Sequence, residues 1–125
     1  MALTPWLSVR EPMQAIAFYK AAFDAVEVYR FDGPDGTVVA RLAAEDGEFW
    51  VSDESPEHGN FSPPALGGST VRMILTVADP DASFARAVAA GATVINPITE
   101  GHGWRVGRVI DPFEHHWEIG RELAG

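Results

Sequence analysis

Residues 70–98, T-V-R-M-I-L-T-V-A-D-P-D-A-S-F-A-R-A-V-A-A-G-A-T-V-I-N-P-I, decide the fold. Thr70–Val77 reads as a strand, and Asp79-Pro80 as the start of a helix. Aspartate at the N-cap accepts from a first-turn amide, and proline at the first helical position lacks only a donor that would be orphaned there. The helix runs to about Ala90, Gly91 closes it, and Ala92–Ile98 returns as a strand.

The same unit stands once before. Val9, Pro12, Ala22 and Val26 lie 68 positions ahead of Val77, Pro80, Ala90 and Val94. Arg41 and Trp50 precede Arg108 and Trp117 by 67, as if one hairpin residue were missing from the second copy. One offset shared by two helix starts and two strands is the signature of an internal repeat. In the first copy, a strand at Leu3–Val9 leads through Glu11-Pro12 into a helix ending near Phe23. Met13, Ile16, Ala17, Tyr19 and Phe23 recur at helical spacing, which predicts that Phe18 and Tyr19 are core. Strands follow at Ala25–Phe31, Thr37–Ala43 and Glu48–Ser52, separated by glycine-bearing turns. The second copy adds Trp104–Ile110 and His115–Ile119. The prediction is an α+β chain of two tandem βαβββ modules, one domain over residues 1–125, with module one at about 3–53 and module two at about 70–123. Residues 54–69 between them carry the three prolines and three glycines of an aperiodic linker. His58 within it is either solvated or a ligand.

The last strand sits in V-I-D-P-F-E-H-H-W-E-I-G, residues 109–120. Side chains alternate between the faces of a strand, so His116 and Glu118 share one face and His115, Trp117 and Ile119 the other. One face reads as packing; the opposite one carries an imidazole and a carboxylate. On the same alternation Thr4, Trp6 and Ser8 share a face of the first strand, and Arg72, Ile74 and Thr76 a face of the fifth. Trp50 and Trp117, at equivalent repeat positions, are both expected in the core.

Composition removes several functions. The absence of cysteine excludes disulfides and thiolate metal sites. No apolar run reaches membrane-spanning length, and the first residues lack the pattern of a secretory signal, so a cytoplasmic protein without a membrane partner is expected. Nine basic against eighteen acidic residues, a net charge of −9, argue against nucleic acid as a partner.

The repeat, with the motif Ile16-Ala17-Phe18-Tyr19 ending at Phe23, resembles the vicinal-oxygen-chelate superfamily of glyoxalases, bleomycin-resistance proteins and extradiol dioxygenases. Gly103-Trp104-Arg105-Val106-Gly107 leading into Asp111-Pro112-Phe113 is similar to the closing motif of its PhnB-like branch. That branch usually has glycine where this chain has Glu114, and a non-glycine residue at a φ > 0 turn position costs about 1 kcal/mol. The resemblance implies eight strands curled around a cavity, and a homodimer in which modules pair within or between chains. It also implies four metal-ligand positions, which fall on Thr4, Val51, Arg72 and Glu118. Only Glu118 is a ligand: valine has no donor atom and arginine places a fixed cation at the site. No metal and no cofactor are therefore expected.

Two arrangements of the remaining groups stay open. Arg72 and Glu118 form an ion pair in place of the metal, or Trp6, Arg72, His116 and Glu118 line a pocket for a small molecule. Two functions follow. One is metal-free binding of a small-molecule ligand in a cleft, similar to the bleomycin-resistance members. The other is a divergent glyoxalase-type lyase or dioxygenase with His116, Glu118 and Arg72 as candidate catalytic residues.

Overall fold

The structure is a computed structural model in which residues 2–124 are described. Strand β1 (Trp6–Val9), helix α1 (Pro12–Phe23) and strands β2 (Val26–Asp32), β3 (Val38–Ala44) and β4 (Gly47–Asp53) make the first module. A 3₁₀ turn at Pro56–His58 and a one-turn helix α2 (Pro63–Leu66) occupy the linker. Strand β5 (Arg72–Thr76), helix α3 (Pro80–Ala90) and strands β6 (Thr93–Gly101), β7 (Trp104–Ile110) and β8 (His116–Glu122) make the second. Each module is a four-stranded sheet, in the orders β1-β4-β3-β2 and β5-β8-β7-β6. The outer β1–β4 and β5–β8 pairs are parallel and the rest antiparallel. The two tandem βαβββ modules read from the sequence are thus present.

Local chemistry sets most boundaries. Asp79 Oδ1 accepts from Ala82 N at 3.2 Å, whereas Glu11 makes no side-chain cap, so proline alone marks the start of α1. β1 begins at Trp6 rather than Leu3 because Pro5 has no N–H to give to the ladder. β6 extends past Ile98 to Gly101, absorbing Pro97 through register shifts on an edge strand. The linker is not wholly irregular, since Pro56 and Pro63 each seed a short helical turn.

Both modules contribute to one core. Leu7, Val9, Leu42, Phe49 and Val51 from the first sheet are buried, as are Leu75, Val109, Trp117 and Ile119 from the second. α1 lies against α3, and Tyr19 and Phe23 of α1 reach the second module. The Trp117 ring is 4.5 Å from Phe23 and 5.4 Å from both Tyr19 and Phe49. Each such side chain contributes about 1.5–3 kcal/mol by leaving water. Phe18 and Tyr19 are core, as the helical spacing predicts. Since the inner faces of both sheets meet here, their opposite faces turn away from this core, each on its own sheet.

Candidate functional site

The outward face of the first sheet is an aromatic wall. Phe49 and Val51 point into the core, so Glu48, Trp50 and Ser52 point out. Register places Trp6 beside Trp50 and Ser8 beside Ser52. The Trp6 and Trp50 rings stack at 5.1 Å with 12° between their planes, and Tyr29 meets Trp50 edge-on at 5.7 Å. Trp6 Nε1 donates to Ser52 Oγ at 2.7 Å, which fixes the indole although the residue is 52% exposed. The Arg41 guanidinium sits 5.3 Å above Trp50, with its Nε 3.3 Å from Glu48 Oε1.

The outward face of the second sheet is polar and cationic. Arg72 and Ile110 flank His116, while Ile74 and Arg108 flank Glu118. Arg108 Nη2 donates to Glu118 Oε1 at 3.2 Å, and Arg72 Nε lies 3.4 Å from the same oxygen. Two guanidinium groups thus share one carboxylate. Among the described residues, His116 Nδ1 and Arg108 Nε are buried without a hydrogen-bond partner, as is Arg41 Nε on the first sheet. Beside Arg108 is a depression of about 340 Å³ lined by Asn96, Thr99, Val106, Arg108 and Glu118.

These two half-sites correct two sequence readings and separate a third. Val51 is fully buried in the core, and the outward residue of β4 is Trp50, which the repeat spacing places in the core with Trp117. The cause is the last turn. β3 and β4 close at Ala44 and Gly47, leaving two residues between, whereas Asp111 N donates to His115 O across a three-residue turn at 112–114. The residue lost before β7 is regained in this turn, so the offset returns to 68 and Trp50 is the counterpart of Glu118. Thr4 is likewise the counterpart of Arg72. Glu114 takes φ 70°, the left-handed conformation that the extra residue requires. The third point concerns Trp6, which stands on the first sheet while Arg72, His116 and Glu118 share the second. Among the described residues, no hydrogen bond or ion pair joins Trp6 to those three. Spacing alone passed over Arg108 and Trp50 as site residues; the matched pair Arg41 and Arg108 was the available signal.

A buried polar hub holds the half-sites in their mutual orientation. Asp111 Oδ1 accepts from the backbone N–H of Phe113 and of His115, both at 2.9 Å. Its Oδ2 accepts from Tyr19 OH at 2.5 Å and Trp117 Nε1 at 2.9 Å. Burial, and then the Asp111 charge, push the Tyr19 phenol well above its ordinary pKa. His115 Nε2, 3.1 Å from Ser8 O, joins the start of β8 to β1. At the other end of β7, Arg105 grips both oxygens of Asp81 on α3, at 2.7 and 2.9 Å. That bidentate bond holds the Asp81 carboxyl below its usual range. His58 stands on the 3₁₀ turn with its Nδ1 2.6 Å from Ser55 Oγ, in an exposed position.

The four family positions, read by register, are Thr4, Trp50, Arg72 and Glu118. They do not fit a divalent metal. The indole N–H is donor only, arginine is a permanent cation, and the one carboxylate is already held by Arg72 and Arg108. Among the described residues, no three His, Asp or Glu side chains are grouped to hold an ion.

Comparison with known proteins agrees with this architecture. The glyoxalase-like domain family matches residues 6–120. A protein of Mycobacterium bovis is 43% identical over 127 residues, covering 98% of this chain and 84% of the relative. A protein of Arabidopsis thaliana is 35% identical over 114 residues, covering 82% of this chain and 67% of the relative. Among solved structures, TioX from Micromonospora sp. ML1 superposes with a TM-score of 0.74 at 26% identity, covering 100% of this chain and 98% of its own. The fosfomycin resistance protein FosX of Mesorhizobium loti shares the fold alone, with a TM-score of 0.73 at 17% identity over 100% of this chain and 92% of its own. The chain belongs to the glyoxalase-like domain family of the vicinal-oxygen-chelate superfamily. No helix among the described residues is long and apolar enough to cross a membrane.

Proposed function

We propose that this protein is a metal-free, small-molecule-binding member of the family. It works as a homodimer whose clefts join the first sheet of one copy to the second sheet of the other. The observation that carries the reading is the division of the site. One sheet presents Trp6, Tyr29 and Trp50, the other Arg72, Arg108, His116 and Glu118, and each half lies open, with Trp6 52% and Ile74 61% exposed. A second copy brings the missing half to each. The closing motif at 103–113 supports a place in the PhnB-like branch, and a cytoplasmic location is part of the same proposal.

Arg72 supports the metal-free reading. A cation about 4 Å from it meets a repulsion of about 4 kcal/mol per unit charge at a protein-like dielectric. Titration of the wild type with zinc, nickel and manganese is expected to give no binding heat, and Arg72→His at most weak uptake. Stoichiometric tight binding by the wild type, lost in Glu118→Ala, overturns the reading.

The second reading, a lyase or dioxygenase using His116 and Glu118, is favoured by the Nδ1 of His116, a ring nitrogen left without a hydrogen-bond partner among the described residues. A retained ligand recovered chemically unchanged after incubation supports binding; an altered one supports the enzyme.

A further inference from the structure

The charges and orphaned atoms of the second sheet define what the cleft takes. Arg72 and Arg108 bring two positive charges to the single carboxylate of Glu118, leaving one guanidinium charge without an anion. Arg108 Nε is buried and unsatisfied, and so is His116 Nδ1 on the neighbouring row of the sheet. Nature leaves few buried polar atoms unpaired. A guanidinium N–H near an imidazole nitrogen that donates in one of its two tautomers, beside a surplus positive charge, marks the place of an oxygen acceptor. Thr76, on the same face of β5, adds a hydroxyl. The first sheet supplies what a flat apolar body needs, with Trp6 and Trp50 stacked and Tyr29 standing against them. Its own cation, Arg41, also has a buried Nε without a hydrogen-bond partner among the described residues, but it has Glu48 as an anion of its own and lies on the Trp50 face. Arg72 and Arg108, by contrast, share one carboxylate, so the surplus charge is on the second sheet.

We propose that the ligand is a flat aromatic molecule bearing a single oxyanion, a carboxylate. The anion is held between Arg72, Arg108 and His116, and the ring lies on the Trp6–Trp50 wall. The guanidinium at Arg72 then occupies the family's metal position and does by hydrogen bonding what a cation does elsewhere, without a coordination sphere. An anion is an unexpected partner for a chain of net charge −9. Screening at physiological salt confines that long-range repulsion to about 8 Å, so the contacts inside the cleft decide.

This inference rests on the composite cleft of the preceding section, and the experiment separates the two. The dimeric protein is titrated by calorimetry with 2-naphthoate and with its neutral twin 2-naphthamide. The acid is expected to bind at least about tenfold more tightly, the value of one charge-assisted hydrogen bond. Arg108→Gln and Arg72→Gln should each bring the acid-over-amide preference, read as the ratio of the two affinities in the same variant, below about tenfold, and a preference unchanged in both overturns the anion. Arg72 is half exposed, so its variant keeps the test open if Arg108→Gln fails to fold. Equal affinity for acid and amide, with both lost in Trp50→Leu, leaves the cleft standing and overturns the anion. Acid binding that survives Trp50→Leu unchanged overturns the composite cleft. Binding of neither probe to the folded dimer overturns the proposal.

Discussion

Asp111→Asn tests the hub that orients the two half-sites. The carboxylate is 2% exposed and receives four donors, two on each oxygen. Asparagine keeps the shape, and its amide oxygen can still accept from the Phe113 and His115 amides. Its nitrogen then faces Tyr19 OH, which can rotate and accept, and Trp117 Nε1–H, which cannot. A hydrogen bond to a charged group is lost, at about 1.5–3 kcal/mol, and a buried donor is orphaned, at about 1–3 kcal/mol. The expected destabilisation is about 3–5 kcal/mol, a large part of the roughly 5–15 kcal/mol that holds a domain folded. Urea denaturation followed by tryptophan fluorescence measures it, with the m-value unchanged. In a Trp117→Phe background the same substitution should cost less, since the offending N–H is gone. A loss below about 1 kcal/mol in the wild-type background, no more than an ordinary neutral hydrogen bond, would refute the assignment of Asp111 as the hub.

Tyr19 gives a pH prediction. Its phenol is raised above its ordinary value of 10.0, so the folded state holds the proton more tightly than the unfolded chain. That contribution is complete below pH 10 and is lost as the pH rises through the raised folded value. In Tyr29→Phe, where Tyr19 is the remaining tyrosine, phenolate absorbance should appear only together with unfolding; its appearance in the folded protein near pH 10 would contradict the burial. Gly107→Ala should destabilise by about 1–3 kcal/mol as an overpacked site. An added Cβ there meets Phe84 Cε2 at 2.6 Å, and thermal melting reads the result. Glu114→Gly should stabilise by up to about 1 kcal/mol by relieving a side chain at φ 70°, and a loss of stability would show that Glu114 makes a contact worth more than the strain.

The fold was legible because its punctuation is local. Asp79-Pro80, Glu11-Pro12 and Gly91 state where helices begin and end, and an offset of 68 states that they do so twice. The alternation of His116 and Glu118 against Trp117 and Ile119 was legible for the same reason. The face of Trp50 was not, because it depends on how many residues a turn holds. One residue at 112–114 flips the equivalence of every position beyond it. Arg108 as a partner of Glu118 is a cross-strand fact, visible only once β7 and β8 are in register. The separation of Trp6 from Arg72 lies further still from the sequence, since periodicity assigns faces to strands but does not say which two sheets share a core.

The central claim is that one copy holds two unlike half-sites and neither holds a metal. Native mass spectrometry of the freshly purified protein tests it most directly. The account predicts a mass twice the 13.5 kDa of the chain, or that mass plus a small organic ligand, with no divalent ion. A 13.5 kDa monomer at micromolar concentration, or a dimer carrying one metal per chain, would contradict it.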